Sequence, residues 1–306
     1  PPTTVSDRRL GFVVALGPQQ RYVVEVEVVL TEDGERPVAG SGAAFDQAIE
    51  DLQTRHARFV AAGTRIAVPG SRVGALLERS ALDLRALVDH EPTGPVVTAG
   101  IPWYAVPFGR DALIVGLQTL SFHPELALGA LRFLARYQGA KVDPFTEEEP
   151  GKIFHELRRG ELARLGVVPH RPYYGTVDAT PLFVCLFVET VRWLGDRAVY
   201  HRLLPHALAA LEWCDTYGDL DGDGFVEYTS LPGSPLHNKG WKDSAISLSY
   251  RDGSPVELPA ALVEVQAYVY AAKHGLASLA AELGDDALAR RLASEAAALR
   301  ERFERA

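Results

Sequence analysis

Residues 181–188 read Pro-Leu-Phe-Val-Cys-Leu-Phe-Val, with no polar face at any helical spacing. A helix of this kind needs apolar cover on every side, so it belongs at the centre of a packed helical assembly. The rest of the chain supplies the cover. Apolar residues recur at helical spacing over 44–61 and 72–89, and at Leu113, Leu117 and Leu120 in a helix over 110–121. Pro124 opens another, with Ala127, Leu131 and Leu134 on one face. Segments 198–217 (Leu204, Leu208, Leu211), 259–282 and 285–305 (Leu288, Leu292, Leu299, Phe303) continue the pattern. Weakly polar helices alternate with amphipathic ones, and short links alternate with long loops over 90–108, 139–177 and 218–257. Helical hairpins arranged in a ring behave this way, with inner helices lining the core and outer ones shielding it. A solenoid has more uniform loops. We expect a mainly α chain whose residues 43–306 form about half of an (α/α)6 toroid.

The first forty residues differ. Gly11–Leu16 and Tyr22–Leu30 are β-branched and partly alternating, with Gly17-Pro18 and Asp33-Gly34 as turns. So few strands cannot bury their own faces. We expect residues 1–42 to be the end of an N-terminal β-sandwich domain. The chain holds no methionine, and its helical pattern still runs at Ala306, so we expect a piece of a longer protein. A net charge of −9 argues against nucleic acid and acidic membranes as partners. No apolar run reaches membrane-spanning length, and no signal-peptide pattern opens the chain. Cys185 and Cys214 sit inside apolar helical patterns and read as buried thiols, which favours a cytoplasmic location. The sequence sets no oligomeric state.

The chemistry lies in the loops. Gly100-Ile-Pro102-Trp103-Tyr104-Ala-Val-Pro-Phe108-Gly109-Arg110-Asp111 ends at a helix start. Trp103 and Tyr104 offer flat faces to a sugar ring, and Arg110 with Asp111 offers a donor fork and an acceptor for vicinal hydroxyls; helix capping by Asp111 is the structural alternative. Pro150-Gly-Lys152-Ile-Phe-His155-Glu156 lacks the second histidine of a zinc helix, so no zinc is expected. Tyr173-Tyr174-Gly175-Thr176-Val-Asp178 again sets aromatics and a carboxylate before an inner helix. Asp219, Asp221 and Asp223, followed by Gly224, match the first half of an EF-hand loop. Its twelfth position is Ser230 rather than glutamate, so an Asx-turn loop is preferred to a calcium site there. Leu236-His-Asn238-Lys239-Gly240-Trp241-Lys242-Asp243-Ser244 holds a carboxylate between a ring and a cation, a composition suited to protonating a glycosidic oxygen. Glu264-Val-Gln266-Ala-Tyr268 opens an inner helix with polar residues that are odd in a core.

These six motifs, in this order over residues 95–275, resemble the bacterial amylo-α-1,6-glucosidase (glycogen-debranching-like) proteins. The resemblance implies an (α/α)6 glycosidase that inverts the anomeric centre. By that likeness Asp243 is the general acid, and Arg110 with Asp111 grips the terminal glucose. Trp103, Tyr104, His155, Glu156, Tyr174, Asp178, Trp241, Lys242, Glu264 and Gln266 complete the expected substrate site. No cofactor is implied, calcium at the 219–223 loop being the one candidate. The family's base is a glutamate from a later hairpin, so the chain alone is expected to be inactive, with Glu264 its only substitute. Lys239 departs from the glutamine expected before Gly-Trp. The substrate expected is a glycogen-like or short α-glucan. Two other readings stand beside this one: a carbohydrate-binding protein that has lost catalysis, and a related six-hairpin glycosidase of trehalase-like or mannosylglycerate-hydrolase-like specificity. A terpene-cyclase-type toroid would need Asp-rich helices or a basic pyrophosphate pocket, and the sequence has neither.

Overall fold

The computed structural model describes residues 3–306 apart from 25, 27–44, 65, 67, 232, 243 and 245. It is mainly α, with a few small sheets. The chain divides into two compact units, Pro1–Phe59 and Val60–Ala306.

In the first unit, β1 (Thr4–Ser6) and β2 (Arg9–Gly11) form an antiparallel hairpin with Thr4 opposite Gly11. The Thr3 hydroxyl accepts the amide of Val13 at 3.0 Å and extends it slightly. The strand expected over Gly11–Leu16 is present only at Gly11, because the hairpin pairs residues 4–6 with 9–11 and residues 12–16 have no strand partner among the described residues. Residues 22–24 are not in a strand either, and 25 and 27–30 of that second expected strand lie outside the described residues. Helix α1 (Phe45–Ala62) begins in this unit and crosses the division.

The second unit opens with α2 (Arg72–Leu87), capped by Ser71, whose hydroxyl accepts the Gly74 amide at 3.1 Å. The helix stops two residues short of the expected end, and the expected loop is a three-stranded antiparallel sheet: β3 (Val88–Glu91), β4 (Gly94–Gly100) and β5 (Tyr104–Pro107), in that order. Val96, Val97 and Thr98 make a β-branched centre for β4, and all three are buried. Three helical hairpins follow. The first pairs α3 (Gly109–Thr119) with α4 (Pro124–Arg136). After the short α5 (Glu161–Arg164), the second pairs α6 (Ala179–Leu194) with α7 (Arg197–Thr216). Two short strands, β6 (Glu227–Tyr228) and β7 (Ala260–Ala261), then pair ahead of α8 (Val263–Leu283) and α9 (Asp286–Arg305).

Two hairpins turn on the same tripeptide, Leu-Gly-Asp. Gly195 and Gly284 take φ values of 64° and 89°, the left-handed conformation that ends a helix and that glycine adopts without steric penalty. The aspartate that follows caps the next helix: Asp196 accepts Ala198 N and Val199 N, and Asp285 accepts Leu288 N.

Helix α6 packs against α3, α4, α7 and α8, which is the cover its sequence requires. Phe183, Leu186 and Phe187 are fully buried. Its two flanking helices run parallel to it. Arg110 at the start of α3 meets Asp178 at the start of α6, and Gly116 further along α3 lies against Leu186. The Cys185 thiol donates to the Tyr268 carbonyl, and Gly275 further along α8 lies against Val188. The starts of α3, α6 and α8 are therefore at one end of the bundle.

Both cysteines are free, as their apolar surroundings suggested, and burial pushes the Cys185 thiol up to about 12 and the Cys214 thiol further. Two outcomes follow from this packing. Phe187→Ala should cost about 3–5 kcal/mol in urea unfolding, the range for truncating a fully buried phenylalanine. Iodoacetamide at pH 8 should label both thiols at least ~100-fold more slowly in the folded protein than in urea, because so little thiolate forms.

Candidate functional site

At the shared helix starts, residues from three separate loops meet. Asp178 precedes α6 but makes no capping hydrogen bond with its side chain. Instead Oδ2 accepts Arg110 Nη1 at 2.7 Å and Oδ1 accepts the Thr176 hydroxyl at 2.6 Å, with both charged groups buried. Burying a carboxylate and a guanidinium is tolerable only when each answers the other with good geometry, as here. The Arg110 guanidinium also lies 5.8 Å from the centroid of the Trp241 ring, within cation–π range. The sequence suggested that Arg110 works with its neighbour Asp111; the structure pairs it with a carboxylate 68 residues away. Trp241 arrives on a segment held by main-chain contacts, since the Lys239 carbonyl accepts Val177 N at 2.9 Å.

A layer of backbone pairing lies beneath. Phe108, Glu156 and Tyr173 form successive antiparallel bridges, and Gly109 N donates to the His155 carbonyl at 2.9 Å. Gly109 is required here, because a Cβ would stand 2.1 Å from the Phe154 carbonyl oxygen. This pairing places the His155 imidazole edge-on to Phe108 and Tyr173, with no hydrogen-bond partner for Nδ1. Burial, reinforced by the Arg110 charge, lowers its pKa to about 3, so the ring is neutral in ordinary buffers. Glu156 accepts Arg158 Nε at 2.6 Å and lies 3.1 Å from His170 Nε2. Its carboxylate is shared by these two side chains, and burial lowers the pKa of the His170 imidazole.

The other expected residues divide by exposure. Trp103, Tyr104 and Trp241 are 79%, 56% and 58% exposed, so their faces are open to a ligand. Lys242 is exposed, and Asp243 lies outside the described residues. Asp111 occupies the first turn of α3 and is half-buried. Tyr174 is buried in the main core, and its hydroxyl donates to the Tyr137 carbonyl at 2.7 Å, which makes it a packing residue. The Gln266 amide accepts Val226 N and donates to the carbonyls of Val226 and Leu262, so it clamps the loop onto α8. Glu264 is half-buried in the first turn of α8. Burial and then the charges of Asp178 and Glu264 raise the Tyr268 hydroxyl, which ties the start of α8 electrostatically to the Arg110–Asp178 pair.

Of the acidic loop, the structure groups Asp219 and Asp221 with Glu227, their oxygens within 4.8 Å of one another. The expected third member, Asp223, is outside this group and accepts Phe225 N. Asp219 accepts Gly222 N and Gly224 N, Asp221 accepts Asp223 N, and Glu227 accepts Leu220 N. These bonds make the Asx-turn loop. Burial, aided by Asp221, Asp223 and Asp219, raises the Glu227 carboxyl.

Four residues of the region were not singled out as site residues from sequence. Thr176 links Asp178 to the Lys239 strand, and Glu147, Ser234 and Tyr173 surround the Lys239 amine. The spacing of Glu147 and Ser234 along the chain carried no signal for that meeting. An open cleft of about 220 Å³ lies on the far side of Lys239, among Asp143, Glu149, Trp213, Tyr217 and Glu227. None of the expected site residues lines it, and its acids have partners within the protein, such as Lys152 and Trp213 for Glu149.

The depressed His155 pKa has a stability consequence. A histidine held neutral by the fold stabilises fully above its unfolded value of 6.5, and this contribution is lost as pH falls from there toward 3. The stability difference between wild type and His155→Phe in urea should therefore shift by about 2 kcal/mol against wild type between pH 7 and pH 5. A pH-independent difference would mean that His155 is solvated.

No protein-family model matches the chain, and no curated protein matches it.

Proposed function

We propose that the chain carries the sugar-gripping and acid side of an inverting α-glucosidase site, acting on α-1,6 linkages of glycogen-like or short α-glucans. The observation that carries this reading is the Arg110–Asp178 pair with Trp241 beside it, assembled from three loops at the common start of α3, α6 and α8. The loop that leads into α3 carries the exposed rings of Trp103 and Tyr104, flat faces of the kind that stack on pyranose rings. In this reading the three hairpins are an arc of an (α/α)6 ring, the N-terminal segment closes a β-sandwich, and the protein works in the cytoplasm.

Mechanistically, Asp243 donates a proton to the leaving glycosidic oxygen while a second carboxylate activates water on the opposite face of the sugar. Lys242, adjacent in sequence, points to substrate rather than to Asp243, because a cation against the carboxyl would oppose the protonated form that the acid needs. The family likeness gives the base to a glutamate of a later hairpin, and Glu264 is the candidate among residues 1–306. An inverting pair needs its carboxyls about 6.5–9.5 Å apart, with room for water.

In the protein with both carboxylates, Asp243→Asn should lower kcat on an α-1,6-branched glucan by about 10²–10⁴-fold while oligosaccharide affinity changes little. A near-wild-type rate would sink the acid assignment. Asp178→Asn should instead weaken binding, raising KM about tenfold or more as Arg110 loses its counter-charge. The three exposed aromatic rings also favour a second reading, a glucan-binding protein without turnover. Saturable glucan binding by wild type, with no release of glucose, selects it.

A further inference from the structure

Lys239 is a buried cation in the segment that holds the exposed Trp241 ring. Its side chain is 3% exposed, and its amine lies 2.6 and 2.5 Å from the two Glu147 carboxylate oxygens, 2.7 Å from Ser234 Oγ and 3.2 Å from the Tyr173 hydroxyl. Glu147 in turn accepts the Tyr173 and Ser234 hydroxyls at 2.9 and 2.7 Å. It holds a φ of 55°, which a side-chain-bearing residue adopts only where its surroundings insist on it. Glu149 and Lys152 are the further charges that act on the amine, and they oppose one another.

The backbone of the same residue is held from the other side. The Lys239 carbonyl accepts Val177 N at 2.9 Å and lies 3.2 Å from the Thr176 hydroxyl, the group that also binds Asp178. Asn238 adds a second tie. It accepts the Tyr228 hydroxyl and donates to the Ser244 carbonyl and to Ser247 Oγ, which itself donates to the Lys242 carbonyl. The ties at 238–239 and 244–247 flank Trp241, Lys242 and Asp243 in sequence.

We propose that the buried Glu147–Lys239 pair is a positioning element, which locks the segment carrying Trp241 to the segment that carries Thr176 and Asp178. A buried ion pair adds little net stability, but it rejects any register in which either charge lacks its partner, which is the property a positioning device needs. The kinetic consequence rests on the glucosidase reading; the structural consequence does not.

The test compares Glu147→Gln, Lys239→Gln and the double variant, by amide hydrogen exchange and by glucan kinetics. Glu147→Gln strands the Lys239 charge, and exchange over residues 238–247 should rise at least ~10-fold while the interiors of α6 and α8 stay protected. Lys239→Gln strands Glu147 and should give the same local pattern. The double variant has no stranded charge and should return to within about threefold of wild type. On a branched glucan, kcat should fall at least ~10-fold in the single variants, with a smaller change in KM, and should recover in the double. Loss of protection throughout α6 and α8 that the double variant does not restore would make the pair a global stabiliser and overturn the proposal. So would unchanged exchange over 238–247 in both single variants. A wild type that carries both carboxylates and shows no action on glucans, but gives the expected exchange pattern, would sink the glucosidase reading and leave the positioning role standing. Turnover by wild type with unaltered kcat in the single variants would do the reverse.

Discussion

The structure depends on the cover that α6 needs. Because Phe183, Leu186, Phe187 and Val188 point in all directions around one helix, helices must surround it, and α3, α4, α7 and α8 do. Short Leu-Gly-Asp links return the chain antiparallel in two of the hairpins, so the first helix of each new hairpin comes up beside α6 in the same direction. Parallel neighbours bring their starts together. The partial positive charge of the helix N-termini and the loops that lead into them are then gathered at one place, and that is where Arg110, Asp178 and Glu264 are found.

Charges buried at this end are matched rather than excluded. Arg110 answers Asp178, Lys239 answers Glu147, and Lys152 answers Glu149. The first two pairs join residues 68 and 92 positions apart, so they work as fasteners between segments that have little regular hydrogen bonding of their own, whereas Lys152 and Glu149 are neighbours in one loop. Where no counter-charge is supplied, the group stays neutral. His155 is buried beside Arg110, and both the burial and that positive charge disfavour an imidazolium. For Lys239 the balance is closer: burial lowers its amine while Glu147 raises it, and burial prevails.

The helices were largely legible in the sequence, because a period of 3.6 in apolar residues survives whatever the helix packs against. All six expected segments beyond residue 100 needed only boundary adjustment, and before them α2 ended two residues early because Val88 begins a strand. The sheet over residues 88–107 was not read. Its central strand is buried among helices, so Val96-Val97-Thr98 shows no alternation to distinguish it from a loop flanked by prolines. The expected strands near the N-terminus failed for the opposite reason. Their composition suited a sheet, but pairing is a tertiary matter, and only residues 4–6 and 9–11 find each other among the described residues.

At the site the boundary lies between residue type and partnership. The sequence by itself determined which loops concentrate aromatic rings and carboxylates ahead of the helix starts. It also determined that Lys239 stands in an unusual place. Only the tertiary structure decided who meets whom. Arg110 met Asp178, Gln266 and Tyr174 went to backbone carbonyls and amides, and Glu227 joined Asp219 and Asp221 where Asp223 was expected. The reason is physical: a buried polar group takes whichever partner the fold brings within hydrogen-bond reach, and that partner is as often remote in sequence as near. Glu147 and Lys239, 92 residues apart, meet because the loops before α6 and α8 must share the same end of the bundle.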